Sequence, residues 1–67
     1  MIEKLVGNRI KQLRNNLGIS QEELGFRSGV HRTYIASLEV GKRNVSIVTL
    51  EKIVKALNVS MSEFFKF

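Results

Sequence analysis

The sequence has no cysteine, no proline and a single histidine, His31. Without cysteine there is neither a disulfide framework nor a zinc–cysteine site. One histidine does not make a structural metal centre, so no metal or cofactor is expected and the core must be purely apolar. No apolar run approaches the roughly 18 residues needed to span a membrane. Met1 to Leu5 is amphipathic, with Glu3 and Lys4, and no apolar signal-peptide core comes after it; a cytoplasmic protein without a membrane partner is expected. The chain also lacks a Ser-His-Asp or Cys-His set, a phosphate-cradling glycine loop and paired carboxylates in a plausible cleft, which argues against an enzyme. Strand-like alternation and low-complexity linkers are absent too, so an all-α, compact fold is expected.

The 67 residues allow one domain, residues 1–67, burying only roughly 60% of its unfolded surface. Five helices exhaust that length, so no effector-binding domain and no small-molecule effector are expected. The formal net charge is +5 and the pI near 10.1. Residues 1–45 carry eight basic and four acidic groups, a surplus of +4; residues 46–67 carry three and two, a surplus of +1. A basic surplus fits a polyanionic partner, most often nucleic acid. It fits simple solubility equally well, and charge alone does not separate the two.

Helical spacing and capping signals divide the chain. Val6, Ile10, Leu13 and Leu17 keep helical spacing, predicting a first helix from about Glu3 to Asn16. Gly7 within it costs roughly 1 kcal/mol relative to alanine, so its first turn is expected to fray, and Gly18 supplies the left-handed end. Ser20 with Glu23 forms a capping box, and Ile19 with Leu24 a hydrophobic staple, opening a helix over about Gln21 to Ser28. Gly29 is the turn, and a third helix runs from about Arg32 to Val40, ended by Gly41. Ser46 opens a fourth, with Leu50, Ile53, Val54 and Leu57 as its apolar stripe and Asn58 as its left-handed end. Ser60, Glu63, Val59 and Phe64 repeat the box and staple for a fifth, Met61 to about Phe65.

The stretch from Ser20 to Glu39 carries the function. Four residues after Gln21 stands Gly25, and eight after it Gly29. Gly25 is read as the point where the third helix crosses close to the second, and Gly29 as the sharp reversal. Val30, Ile35 and Leu38 face the core. Arg32, Thr33, Ala36 and Ser37 remain outward, with His31 and Tyr34 at the edges. A short helix held on one face and polar on the other suits a DNA major groove.

This spacing resembles the helix-turn-helix of the phage-repressor-like, Cro/C1-type regulators. The likeness covers about residues 8–65, through Leu17-Gly18-Ile19-Ser20-Gln21-Glu22-Glu23-Leu24, Ser28-Gly29-Val30, Tyr34-Ile35, Leu38-Glu39, Gly41-Lys42-Arg43, Thr49-Leu50 and Ala56-Leu57-Asn58-Val59. It implies that Gln21 touches a DNA phosphate and braces the recognition helix, where free amides and the helix dipole favour an anion. It places Arg32, Thr33 and Ser37 at base-reading positions; Arg32 can fork onto guanine and Thr33 can pack on a thymine methyl. Lys42, Arg43, Asn44 and Ser46 match the loop that grips the phosphate backbone. Arg14 and Glu39 match a buried ion pair tying the first helix to the third. Two positions depart from the pattern. Val45 stands where many relatives carry proline, implying a more mobile loop. His31 stands where an N-cap is needed, and histidine caps poorly; a DNA contact, to phosphate when protonated, is the reading offered for it.

Tyr34 either stacks on sugar-phosphate or covers the second helix; a DNA-facing edge is expected because Ile35 and Leu38 already serve the core. Glu51–Lys55 and Glu23–Arg27 read as i, i+4 surface pairs. Three of the last four residues are aromatic: Phe64, Phe65 and Phe67. One short helix cannot bury three rings. Phe64 is read as completing the core, and the rest as an apolar patch that makes a homodimer through the fifth helix and tail. Such a dimer sets two recognition helices about 34 Å apart on a pseudo-palindromic operator. The expected function is therefore a sequence-specific double-stranded DNA-binding transcriptional regulator. His31-Arg32-Thr33-Tyr34-Ile35 and Lys42-Arg43-Asn44 resemble controller proteins of restriction–modification systems. A small phage-type or antitoxin-type repressor fits the same logic, and a protein-interaction module keeping the fold without DNA readout is the alternative of another class.

Overall fold

Four of the five helices begin at a residue whose side chain accepts a hydrogen bond from a first-turn amide, satisfying one of the donors that every helix N-terminus leaves unpaired. In the computed structural model, which describes all of residues 1–67, α1 spans Ile2–Leu17, α2 Gln21–Ser28, α3 Arg32–Glu39, α4 Ile47–Ala56 and α5 Met61–Phe64. The hydroxyls of Ser20, Ser46 and Ser60 accept from the amides of Glu23, Thr49 and Glu63 at 2.9, 3.1 and 3.0 Å. Only the serine halves of the two expected boxes form. The glutamates turn forward instead: Arg27 Nε donates to Glu23 at 2.8 Å, and Glu63 pairs with Lys66 at 3.5 Å. Left-handed residues close the helices as expected, Gly18 and Gly29 after α1 and α2, and Asn58, the one non-glycine residue with positive φ, after α4.

Ten apolar side chains form the core: Val6 and Ile10 of α1, Leu24 of α2, Ile35 and Leu38 of α3, Leu50, Ile53, Val54 and Leu57 of α4 and its end, and Phe64 of α5. Each contributes roughly 1.5–3 kcal/mol on burial, and this holds together helices too short to persist alone. α1 packs on α3, α2 on α3 and α4, and α4 on α5. The expected stripe of α1 is interrupted at its end. Leu17 is 39% exposed, and Arg14 closes that corner by donating from Nη1 to the Ile19 carbonyl at 2.8 Å.

Gly7 overturns the expectation of a frayed first turn. It is buried, and a Cβ built on it would overlap the Leu38 carbonyl oxygen and lie 3.0 Å from the carbonyl carbon. The missing side chain lets α1 run directly against the backbone of α3, and α1 starts one residue earlier than expected, at Ile2. Glu51 and Lys55 are both exposed but do not join the ion pairs of the surface, where solvation competes with so weak an attraction. The chain measures 26 × 22 × 21 Å, and no helix is long and apolar enough to cross a membrane.

Candidate nucleic-acid interface

The turn between α2 and α3 is built around one carbonyl. Gly25 O accepts the amides of Gly29 at 2.9 Å and Val30 at 3.2 Å, while the buried Ser28 hydroxyl donates to it at 3.4 Å and accepts from Val30 N–H at 3.2 Å. A Cβ on Gly25 would stand 2.6 Å from Val30 O and 3.2 Å from Arg32 N. The close approach read from sequence is therefore real, but what approaches is the returning turn and the first residue of α3 rather than its flank. At Gly29 the space is open and only the φ of 74° requires glycine.

α3 is fixed from behind by a buried carboxylate. Glu39 is buried and takes Arg14 Nε at 2.7 Å and Arg14 Nη2 at 3.0 Å, a fork onto both of its oxygens. Gln21 Nε2 donates to the same carboxylate at 3.0 Å. The hydrogen bonds to Glu39, seconded by its charge, raise the Arg14 pKa above the ordinary guanidinium value against the opposing effect of burial. One carboxylate thus ties α1, the start of α2 and the end of α3 together. Gln21 accordingly serves as the brace expected of it, with its amide nitrogen turned inward.

Arg32 and Thr33, in the first turn of α3, are exposed. Arg32 Nη1 lies 3.5 Å from Glu22 Oε2, both side chains well exposed; a pair in water is worth so little that a better partner displaces it. Ser37 is half-buried and its hydroxyl donates back to Tyr34 O at 2.8 Å, so it faces outward less freely than expected. Tyr34 is half-buried against the core, and the face of its ring carries the Arg43 guanidinium at 4.8 Å. With Lys42 N–H donating to Ser37 O at 3.0 Å, this stacking ties the exposed loop residues Lys42, Arg43 and Asn44 to the recognition helix. Ser46, assigned to the grip on DNA, caps α4 and donates to Thr49 Oγ1 at 3.0 Å, which commits the one donor that a phosphate would need.

His31 corrects the sequence reading most directly. It is a working cap: Nδ1 accepts from Thr33 N–H at 3.1 Å and lies 2.8 Å from Thr33 Oγ1. An imidazole accepts only through an unprotonated nitrogen, so the cap and a proton on Nδ1 exclude each other. The imidazole reaches the second helical amide because its acceptor sits at the length of an asparagine side chain.

A second surface lies away from α3. Phe64 is completely buried, but Phe65 and Phe67 are 45% and 55% exposed. Phe65 lines a groove of about 210 Å³ with Ile2, Val6, Val45, Ile47 and Leu50, bordered by Arg43 and Asn44. The exposure of Ile47, at 78%, is not legible in the sequence, although it extends the stripe of Leu50 and Val54 one position past the core. Phe26 is exposed on the outer face of α2, two residues from buried Leu24, a spacing that sets the two on different sides of a helix.

Residues 10–64 match the family described as Helix-turn-helix. The chain belongs to that family. It is 43% identical to the control protein C.BamHI of Bacillus amyloliquefaciens over 67 residues, covering 98% of this chain and 83% of that one. Among solved structures it is similar to the restriction–modification controller protein C.AhdI from Aeromonas hydrophila, with a TM-score of 0.90 and 41% identity over 94% of this chain and 91% of that one. It is similar also to the controller protein C.Esp1396I, solved as a tetramer in complex with its natural 35-base-pair operator, with a TM-score of 0.93 and 39% identity over 98% of this chain and 87% of that one. An arginine, a threonine and a tyrosine, consecutive in C.Esp1396I, have each been substituted in solved structures of that protein. The one Arg-Thr-Tyr run in this helix-turn-helix chain is Arg32-Thr33-Tyr34.

Proposed function

We propose that this chain is a sequence-specific, double-stranded DNA-binding transcriptional regulator of the restriction–modification controller type, a cytoplasmic binding protein rather than an enzyme. The observation that carries the reading is the division of labour within α3: Glu39 holds it to α1 and α2, while Arg32, held only by its surface pair with Glu22, and Thr33 are exposed beside a cationic loop stapled to Tyr34. In the complex Arg32 leaves Glu22 for the O6/N7 edge of a guanine, and Thr33 packs its methyl group on a thymine. Ser37 and Tyr34 line the edge of the groove. Lys42, Arg43 and Asn44 hold the phosphates, with the first amides of α4 behind Ser46 and those of α2 behind Gln21 as further anion donors. His31 reaches a phosphate through Nε2 while Nδ1 keeps its cap.

The long dimension of 26 Å is shorter than the roughly 34 Å between successive half-sites, so one copy reads one half-site and two copies read a pseudo-palindrome. At about 3.4 Å per base pair one copy covers about 8 base pairs. The operator of C.Esp1396I, 35 base pairs for a tetramer, allots about 9 to each chain, which supports the same packing along DNA. The homodimer uses the apolar surface of α5 and the tail, Phe65 and Phe67 with Phe64 beneath them, widened by Ile2 and Ile47 along the groove.

Binding to duplexes selected from a random pool, measured between about 50 and 200 mM salt, tests the reading. A recovered half-site with two-fold symmetry, and an affinity that falls steeply with salt, are expected. Failure to enrich any sequence, or an affinity indifferent to salt, refutes it in favour of a protein-interaction role for the same fold.

A further inference from the structure

Arg9 has no part in the DNA-binding reading, yet its side chain is only 11% exposed. Its guanidinium is committed almost entirely to one place. Nε donates to the Phe64 carbonyl at 2.7 Å, Nη2 to the Glu63 carbonyl at 2.8 Å, and Nη1 to Gln12 Oε1 at 2.9 Å. The Glu63 carboxylate stands 3.9 Å away. The two carbonyls belong to the last turn of α5, four residues long, where helix carbonyls have no intrahelical partner and where a cation also complements the helix dipole. A helix of one turn does not hold itself; α5 is held by its buried Phe64 and by this fork from α1.

The aromatic tail beyond α5 depends on that fork. The Phe64 ring meets Phe65 edge-on at 5.1 Å and Phe67 at 6.5 Å, and Phe65 and Phe67 lie 5.9 Å apart. The buried ring is thus the base on which the two exposed rings stand, and the carbonyl of the same residue is the one that Arg9 grips. Phe65 continues from this cluster into the groove with Ile2 and Ile47.

We propose that Arg9 is the positioning residue of the self-association surface. By closing the C-terminal end of α5 it holds Phe65 and Phe67 in the arrangement on which a second copy of this chain docks. The inference rests on the homodimer reading, whose ground is that one copy is too short to reach two half-sites. Arginine is required because the fork spans two successive carbonyls; lysine offers a point charge that serves one geometry at a time.

Sedimentation equilibrium on the intact chain tests this, with wild type, Arg9→Lys, Arg9→Met, Phe65→Ala and the double variant Arg9→Lys/Phe65→Ala, at a temperature where circular dichroism shows each folded. The dimer dissociation constant is expected to rise about tenfold in Arg9→Lys and further in Arg9→Met, as for two charge-assisted hydrogen bonds, one part-buried and one exposed. In the Phe65→Ala background the Arg9→Lys effect should shrink to about threefold, because the ring that enters the groove is gone and Phe67 alone is left for Arg9 to position. Should Arg9→Met fail to fold, the lysine variant alone decides. A merely structural Arg9 would lower the melting temperature and leave the dissociation constant unchanged, or raise it equally in both backgrounds; either result overturns the proposal while the dimer stands. A wild-type chain that stays monomeric to about 100 μM overturns the homodimer reading, and the role of Arg9 falls with it.

Discussion

Gly7→Ala separates the reading of this fold by helix propensity from its reading by contact. Propensity predicts a gain: an alanine inside a helix is favoured over glycine by about 1 kcal/mol. The structure predicts a loss. A Cβ at position 7 would overlap the Leu38 carbonyl oxygen and stand 3.0 and 3.1 Å from the carbonyl carbons of Leu38 and Glu39, about 0.5 Å inside the usual 3.5–4.0 Å of carbon–carbon contact. These neighbours are backbone atoms, which cannot rotate away as a side chain can, so α1 and α3 must separate. Overpacking of this kind costs about 1–3 kcal/mol, and rigid neighbours put this site at the upper end; the net of about 2 kcal/mol is a large part of the roughly 3–10 kcal/mol that a domain of this length has. The melting temperature should fall by about 8–16 °C, read by circular dichroism at 222 nm. Because the contact lies on α3, operator affinity should also weaken at temperatures where the variant is still folded. A melting temperature equal to or above that of wild type would refute the reasoning outright.

Glu39→Ala leaves Arg14 without its partner and Gln21 without its acceptor, and should cost about 3 kcal/mol, as for one half of a buried ion pair; urea unfolding measures it, and a loss below about 1 kcal/mol would show the network to be dispensable. His31→Ala should cost about 1 kcal/mol through loss of the α3 cap, whereas His31→Asn, which keeps an acceptor at the same reach, should cost a few tenths; equal melting temperatures for the two would deny the cap. Arg32→Ala should weaken operator binding by about 1–3 kcal/mol and relax the preference for one base pair in each half-site. Arg43→Ala should weaken all duplexes alike and flatten the salt slope by about one unit per half-site; a change of base preference in Arg43→Ala would exchange these two assignments.

Local signals in the sequence locate the helices to within a residue or two, because serine caps, left-handed glycines and Asn58 act through atoms a few positions away. The exposure of Thr33 follows from the same local spacing once Ile35 and Leu38 are placed inward, whereas Arg32, three residues before Ile35, is exposed because it stands at the first position of α3. Contacts between distant segments escape. Gly7 looks like a weak point in a helix until α3 is seen lying against it, and Arg9 looks like another surface cation until the end of α5 arrives at its guanidinium. Residue-type preference misjudges His31: the frequency of a residue at caps averages over geometries, and here an imidazole nitrogen falls where a shorter acceptor would. Ile47 stays hidden because an apolar residue at helical spacing reads the same whether the neighbouring element covers it or stops short.

The interactions that hold α3 also explain why a helix of eight residues can read DNA at all. It is gripped at its start by the turn folded onto Gly25, and at its last turn by the bare backbone of Gly7 against Leu38 and Glu39 and by the bonds of Arg14 and Gln21 to the Glu39 carboxylate. All three act on main chain or on the buried face, so apart from the His31 cap the exposed side chains of this segment are not needed for the fold. In the proposed reading, Arg32 and Thr33 can therefore vary with the operator while the platform stays constant. Tyr34 is the exception, being packed on the core and stacked under Arg43, so a substitution there reaches both α3 and the loop that we propose grips phosphate. The platform predicts that Arg32→Ala melts within about 0.5 kcal/mol of wild type, as for surface changes generally, while Tyr34→Ala lowers both stability and affinity. If Arg32→Ala unfolded the domain, the division between platform and reader would be wrong.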